Sequence, residues 1–260
     1  MDAIESYIYG LLLADGSLYF SHAKDRSIDN RGKVSLEVGE QDKDIVIKLF
    51  NIIPNSHIRE RTRNTNFKMN YTTCTFVNSH KEFRDWLVDC GFPTQDKTFS
   101  AAPPVKKYSE FDFWRGFIDG DGSLGFNKRE VPFISIVTTS EPLKKAYLDF
   151  LYKYYKITKI ANRNKRDKAY NILVQVEDAV TMANDLWQPD CLCLDRKASK
   201  AEQIKQWVRP EGMRKRFHKQ TWTKEQDNYI QTHSLEDSMT TLNRTKQSIR
   251  TRLYRLSKQA

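Results

Sequence analysis

The chain has 260 residues, 39% of them hydrophobic and 12% aromatic, and a formal net charge of +10. That is enough apolar material for a sizeable core, which excludes a disordered chain, and no apolar run approaches the roughly 20 residues of a membrane span. The start, MDAIESYIYG, is acidic where a secretory leader carries positive charge, so a soluble, intracellular protein with no membrane partner is expected.

The first element is a helical run ending in YGLLLADGSLYF, Tyr9 to Phe20. KVSLEVGE then alternates like a strand, and DKDIVIKLFNII has helical spacing. SHIRERTRNTNFKMNYTTCTFV reads as two strands around an Asn-rich turn, and SHKEFRDWLVDCG as a helix stopped by Gly91. PTQDKTFSAAPP follows, and Ala101 to Tyr108 is expected to be a linker because Pro103 and Pro104 break helix and strand alike.

A second marker, RGFIDGDGSLGF, runs from Arg115 to Phe126, with Asp121 placed 106 residues after Asp15. VPFISIVTT is the next strand and SEPLKKAYLDFLYKYY the next helix. KITKIANRNKRDKAYNILVQV is expected to form two strands around a polar turn, EDAVTMANDLWQ a helix, and CLDRKASKAEQI the close of the unit. The order helix, two strands, helix, two strands, helix thus occurs twice, and QDKTFSA corresponds to LDRKASK. The expected layout is a first half over 1–102, a second half over 108–207, a basic linker over 208–220 and a small all-α domain over 221–260.

Charge follows this division. Residues 205–260 hold 13 Lys/Arg against 5 Asp/Glu, and the other 204 residues hold 30 against 28. A basic tail on a near-neutral body points to a polyanionic partner. In the tail, TWTKEQDNYIQTH, SLEDSMTTL and TKQSIRTRLYRLSKQ read as three short helices, with Trp222, Ile230, Leu242, Ile249, Leu253 and Leu256 as a small core. Thr223 and Ser234 stand at helix-start positions. Cys74, Cys90, Cys191 and Cys193 lack zinc-like spacing and are expected as buried reduced thiols.

The duplicated marker asks for a chemical reason. Gly10 and Ala14, like Gly116 and Gly120, are four residues apart and share one helix face. Such small residues let two backbones approach closely. If the helices pack through these faces, Asp15 and Asp121 meet at two helix C-termini, where negative charge is unfavourable. Paired carboxylates there suit a divalent cation with oxygen ligands, and two-metal sites of this kind act on phosphodiesters. Gly16 and Gly122 are read as left-handed helix stops.

WRGFIDGDG closely, and IYGLLLADG more loosely, resemble the motif of the LAGLIDADG homing endonucleases of the single-chain, two-repeat type. The resemblance spans Ile4 to Ile204. It implies an α+β fold of two pseudo-symmetric αββαββα units packed through the motif helices, each with an antiparallel DNA-binding sheet. It implies that Asp15 and Asp121 bind Mg²⁺, or another divalent ion such as Mn²⁺, and cut both strands of a long asymmetric double-stranded DNA site, leaving short 3′ overhangs. Lys97 and Lys197 take the place of the family's active-site lysines, with Glu40 and Thr139 at a third position. No catalytic role is carried over to Asp119, which stands where the first copy has Leu13. The resemblance also implies that the chain acts as a monomer, with intron mobility as its biological role.

The strands supply candidate DNA contacts: Arg59, Arg61 and Arg63 on one face of one strand, Lys68, Asn70 and Thr72 on its neighbour, and Lys159, Arg163 and Lys165 in the second half. The tail resembles a Myb/SANT-like helix-turn-helix, which implies that Lys246, Gln247, Arg250, Thr251 and Tyr254 face bases and that Arg252 and Arg255 meet phosphate. Two rival readings stay open: an RNA-splicing maturase binding intron RNA, and a non-cleaving DNA-binding regulator.

Overall fold

The computed structural model describes residues 1–20, 32–64, 69–213 and 222–258. Contacts divide the chain into two units, Met1–Arg209 and Pro210–Ala260.

The first unit is built on two helices, α1 (Ala3–Asp15) and α5 (Glu110–Asp121). The α1 start is fixed by Asp2 and Glu5 in a reciprocal capping box. From Ser6 to Ala14 every residue of α1 is buried, and α5 is buried from Phe113 to Asp119. A helix apolar all round belongs inside, and these two form the centre of the core. Gly10 and Gly116 make the approach possible. A Cβ on Gly10 would lie 2.2 Å from the Phe113 carbonyl oxygen, and one on Gly116 would lie 2.1 Å from that of Tyr7. The contacts are reciprocal, since Tyr7, Gly10 and Leu11 correspond by the 106-residue repeat to Phe113, Gly116 and Phe117. The helix pair therefore carries a local twofold relation.

Outward from this pair, α1 leads into a four-stranded antiparallel sheet of β1 (Gly16–Phe20), β2 (Gly32–Gly39), β3 (Ser56–Arg63) and β4 (Tyr71–Asn78), in the order β1-β2-β4-β3. Helices α2 (Lys43–Ile52) and α3 (Lys81–Asp89) cover one face, and the short α4 (Lys97–Ser100) follows. Residues 101–109 form no helix or strand. After α5 come β5 (Ser123–Phe126), β6 (Pro132–Thr138), α6 (Glu141–Tyr155), β7 (Tyr170–Gln175), α7 (Glu177–Leu186) and α8 (Asp195–Lys205). The second sheet has three strands, in the order β5-β6-β7.

The second half thus lacks one strand expected from the sequence. Residues 157–169 form only an isolated bridge, Arg163 to Tyr170. Their polar side chains satisfy backbone groups directly. Lys159 Nζ donates to the Leu173 carbonyl on the open edge of β7, and Arg163 Nη1 donates to the Lys168 carbonyl at 2.9 Å. Ile160, which a sheet strand would cover, is 89% exposed.

Two smaller expectations also change. Gly16 and Gly122 are extended, with φ of −76° and −80°, not left-handed. Glycine is required there by space: a Cβ on Gly16 would lie 2.6 Å from the Leu12 carbonyl oxygen, and one on Gly122 would lie 2.7 Å from that of Ile118. All four cysteines are free, but only Cys74 and Cys90 are buried, while Cys191 and Cys193 are partly exposed.

The second unit has three helices, α9 (Lys224–Thr232), α10 (Leu235–Leu242) and α11 (Lys246–Ser257). Thr223, Ser234 and Thr245 cap their starts through side-chain oxygens. Of the six expected core residues only Ile230 and Ile249 are fully buried. Polar contacts supplement this small core: Arg252 makes a bidentate pair with Asp227 at 2.7 and 2.5 Å, and Arg244 lies 4.1 Å over the Trp222 ring.

Candidate active site and nucleic-acid interface

Asp15 and Asp121 are the last residues of the crossing helices, and both are exposed to solvent. Protein packed around them still removes water, and this burial raises the Asp15 carboxyl above its ordinary value, against the pull of Lys197 and Lys97. Asp121 is raised by burial and then by the charge of Asp15. The two carboxylates therefore feel each other. A cleft of about 250 Å³ opens beside Asp121, lined among others by Lys97, Val137 and Thr139.

The lysines occupy equivalent positions. Lys97 Nζ donates to the carbonyls of Ala14 at 2.8 Å and Gly16 at 2.5 Å, the end of its own motif helix. Lys197 Nζ lies among the carbonyls of Ile118, Asp119, Gly120 and Gly122, the last three at 2.7, 3.1 and 2.9 Å. Each ammonium thus sits on the negative end of a helix, and of the two terminal aspartates it acts more strongly on that of the opposite helix, Lys97 on Asp121 and Lys197 on Asp15. Burial lowers both lysines, opposed by the nearby aspartates.

Each lysine-bearing helix leans on the opposite half. Arg196 pairs with Asp42 through two bonds of 2.8 and 2.9 Å, and Lys48 bonds Asp195 at 2.5 Å and the Cys193 carbonyl at 2.7 Å. In the other direction Thr139 Oγ1 donates to the Thr98 carbonyl at 2.7 Å, and Ser140 Oγ to the Ala101 carbonyl at 2.5 Å. Thr139 therefore braces α4, whereas Glu40 starts a short 3-10 helix, Glu40–Asp42, and is exposed. Asp42, which sequence reading passed over, raises Asp15 electrostatically and holds Arg196. No local pattern marks it, because its partner is 154 residues away.

Asp119 has a structural task. It is 3% exposed, and its Oδ2 accepts from the Tyr7 hydroxyl and the Leu194 amide, both at 2.8 Å. It thereby ties α1 to the start of α8, the helix that carries Lys197. Burial pushes this carboxyl up to about 6, against the Leu194 and Tyr7 hydrogen bonds and the charges of Lys197 and Arg115.

The register of the first sheet sorts its residues by face. Arg59, Arg61 and Arg63 pair with Thr75, Thr73 and Tyr71, and Thr75 and Thr73 pair in turn with Glu37 and Gly39 of β2. Lys33 and Tyr19 lie on this same outer face. Thr72 pairs with Thr62 and so points to the opposite face from the arginines. Asn70 is in the turn, at φ 52°, with its amide on Asn64 Oδ1. The expected row of Lys68, Asn70 and Thr72 beside the arginines is therefore not formed, and Lys68 lies outside the described residues. Arg63 pairs with Glu37 at 3.3 Å.

In the second half Lys159, Arg163 and Lys165 do not line one strand. Lys159 and Arg163 hold backbone, and Arg163 lies 4.7 Å over the Tyr170 ring. Lys165 is exposed in the turn. In the second unit Lys246, Gln247, Arg250 and Tyr254 are exposed on α11, while the Asp227 pair commits Arg252 to its own fold and away from phosphate.

Residues 109–186 match the family described as LAGLIDADG-like domain. The meganuclease I-AabMI, solved bound to uncleaved DNA, is similar at a TM-score of 0.50 and 10% identity, over 76% of this chain and 87% of that one. The homing endonuclease I-GzeII, solved with its DNA target, is similar at 0.48 and 11%, over 77% and 89%. I-SmaMI, solved with uncleaved DNA and calcium, is similar at 0.47 and 13%, over 70% and 84%. No curated protein matches the sequence. The chain carries a LAGLIDADG-like domain over residues 109–186 and has the fold of the LAGLIDADG meganucleases.

Proposed function

We propose that the chain is a site-specific DNA endonuclease that cuts both strands of a long duplex by divalent-metal-dependent phosphodiester hydrolysis. The observation that carries this reading is the pairing of Asp15 and Asp121 at two adjoining helix ends, each backed by a lysine on the carbonyls of its own helix.

The donor set fits Mg²⁺. Among the described residues no group of three or more His, Cys, Asp or Glu side chains converges on one point. Two carboxylates, with water and phosphate completing the shell, are a set that Mg²⁺ commonly accepts. Asp15 and Asp121 would hold it, and a bound cation would offset the mutual charge that raises Asp121. The ion would supply charge neutralisation at the phosphoryl oxygens. Lys97 and Lys197 direct their N–H groups at carbonyls, so they would act on the phosphate chiefly as fixed positive charge in a partly desolvated place. By the twofold relation of the helices, one such end would serve each strand.

The sheets flank this centre with their uncovered faces, which suits binding along the duplex grooves. The three-helix tail would add a helix-turn-helix contact through Lys246, Gln247 and Arg250. Two partly desolvated carboxylates held close together cost stability that DNA or intron-RNA binding alone does not need, which favours cleavage over the regulator and maturase readings.

The test is digestion of a randomised plasmid library with Mg²⁺ and sequencing of the ends, with EDTA and Asp121→Asn as controls. Recurrent double-strand ends that share one long motif and vanish in both controls support the reading. Absence of ends, with DNA or intron RNA still retained at moderate salt, contradicts it.

A further inference from the structure

The outer faces of the two sheets differ in chemistry. On the first, the strands present Lys33, Arg59, Arg61, Arg63 and one acid, Glu37. Arg59 and Arg61 have no ion-pair partner among the described residues. On the second, the register places Ser123, Ser135 and Leu173 in one row, Gly125, Phe133 and Gln175 in the next, and Val137 with Asn171 in a third. No charged side chain stands on this face of β5, β6 or β7. The alternate residues Ile134, Ile136, Ile172 and Val174 are buried beneath it, so the assignment of faces is set by the core.

The difference has a structural source. β3 carries the three arginines, and its counterpart in the second half is the segment that forms no strand. Its place at the edge of β7 is taken by Lys159, bonded to the Leu173 carbonyl. The basic residues Lys165, Arg166 and Lys168 stand in the turn beyond, where they can meet phosphate but not a row of bases.

The second face is continuous with the catalytic cleft. Val137 is 46% exposed and lines the same cleft as Asp121 and Lys97. Asn171 is its direct cross-strand neighbour. A duplex held at the carboxylates therefore passes over Val137 and Asn171 first, and over Leu173, Phe133 and Gln175 farther out.

Base recognition in the major groove is specific to side-chain type. Arginine and lysine pair with guanine, Asn and Gln with adenine, and apolar groups with the thymine methyl. A face whose charged readers are arginines and a face of amides with Phe, Val and Leu favour different bases. We infer that the target duplex is compositionally polar, guanine-bearing in the half met by the first sheet and dominated by A·T pairs in the half met by the second. This rests on the DNA-binding reading above and adds to it the base composition of each half-site.

The experiment is selection of bound duplexes from a randomised library by the full chain carrying Asp121→Asn, in Mg²⁺-free buffer, repeated with Arg61→Ala and with Asn171→Ala added. The expected result is one motif with guanines on one side of its centre and A·T pairs on the other. Arg61→Ala should lower selectivity on the guanine side about tenfold, and Asn171→Ala should do so at an A·T position of the other side close to the centre. A motif with equal G·C content on both sides, or loss of A·T selectivity through Arg61→Ala, overturns the inference and leaves the DNA-binding reading standing. Failure to enrich any motif overturns both.

Discussion

The two halves are alike where the helices end and unlike where the sheets begin. At the helix ends the correspondence is close: Gly10 with Gly116, Asp15 with Asp121, Lys97 with Lys197, and the same carbonyls under each lysine. In the sheets one half has four strands and an arginine-bearing edge, and the other has three strands and an uncharged outer face. Under the proposed function the contrast separates two demands. Two antiparallel strands of DNA offer the same phosphodiester twice, so a reaction centre gains from symmetry. A long asymmetric site offers different bases on each side, so the reading surfaces gain from divergence.

The largest expected effect breaks the symmetric part. Gly116→Ala places a methyl against the Tyr7 carbonyl, and Gly10→Ala places one against Phe113. Backbone contacts cannot be relieved by a rotamer change, so each should destabilise by about 3 kcal/mol or more, despite a gain of about 1 kcal/mol in helix propensity. Urea unfolding should show equal losses for the two, because the contacts are reciprocal.

Next comes the one polar difference inside the helix pair. Asp119→Leu makes the second motif resemble the first, where Leu13 stands. It strands the buried Tyr7 hydroxyl and the Leu194 amide and should cost about 2 kcal/mol. Asp119→Asn keeps an acceptor and should cost clearly less in the same unfolding assay.

The lysines should differ by degree. Lys197 is 5% exposed and serves four carbonyls, whereas Lys97 serves two and is partly exposed. Lys197→Met should lower stability by about 2 kcal/mol and Lys97→Met by about 1 kcal/mol, read by thermal melts at fixed pH. Smallest is the effect on affinity. Lys165→Ala, in the turn beyond β7 where side chains can meet phosphate, should reduce the slope of log K against log salt by about 0.9, measured by titrating the selected duplex, and Asn171→Ala should leave the slope unchanged.

How much of this was legible in sequence depends on range and repetition. The motif helices, their glycines, the two aspartates and the two lysines could be read because each pattern is local and written twice. The phase of β4 could not. Thr72, Thr73, Cys74 and Thr75 are too similar in polarity to show which face is outward, and only pairing of Arg63 with Tyr71 sets it. The missing strand was hidden for a related reason. Residues 157–165 alternate well enough for a strand, but Lys159 and Arg163 satisfy backbone carbonyls themselves and leave Ile160 in solvent. The Asp42–Arg196 brace joins distant residues across the halves, and no single-sequence pattern reports such a pair.

Under the proposed function the two helix ends form one symmetric, metal-dependent cleavage centre. Its most direct test is strand-resolved, single-turnover cleavage of the selected duplex in Mg²⁺ by the wild type, Asp15→Asn and Asp121→Asn. The wild type should cut both strands, neither in EDTA, and each variant should lose about 10³-fold or more, with duplex binding retained. Near-wild-type cutting by either variant, or cutting of both strands in EDTA, would contradict it.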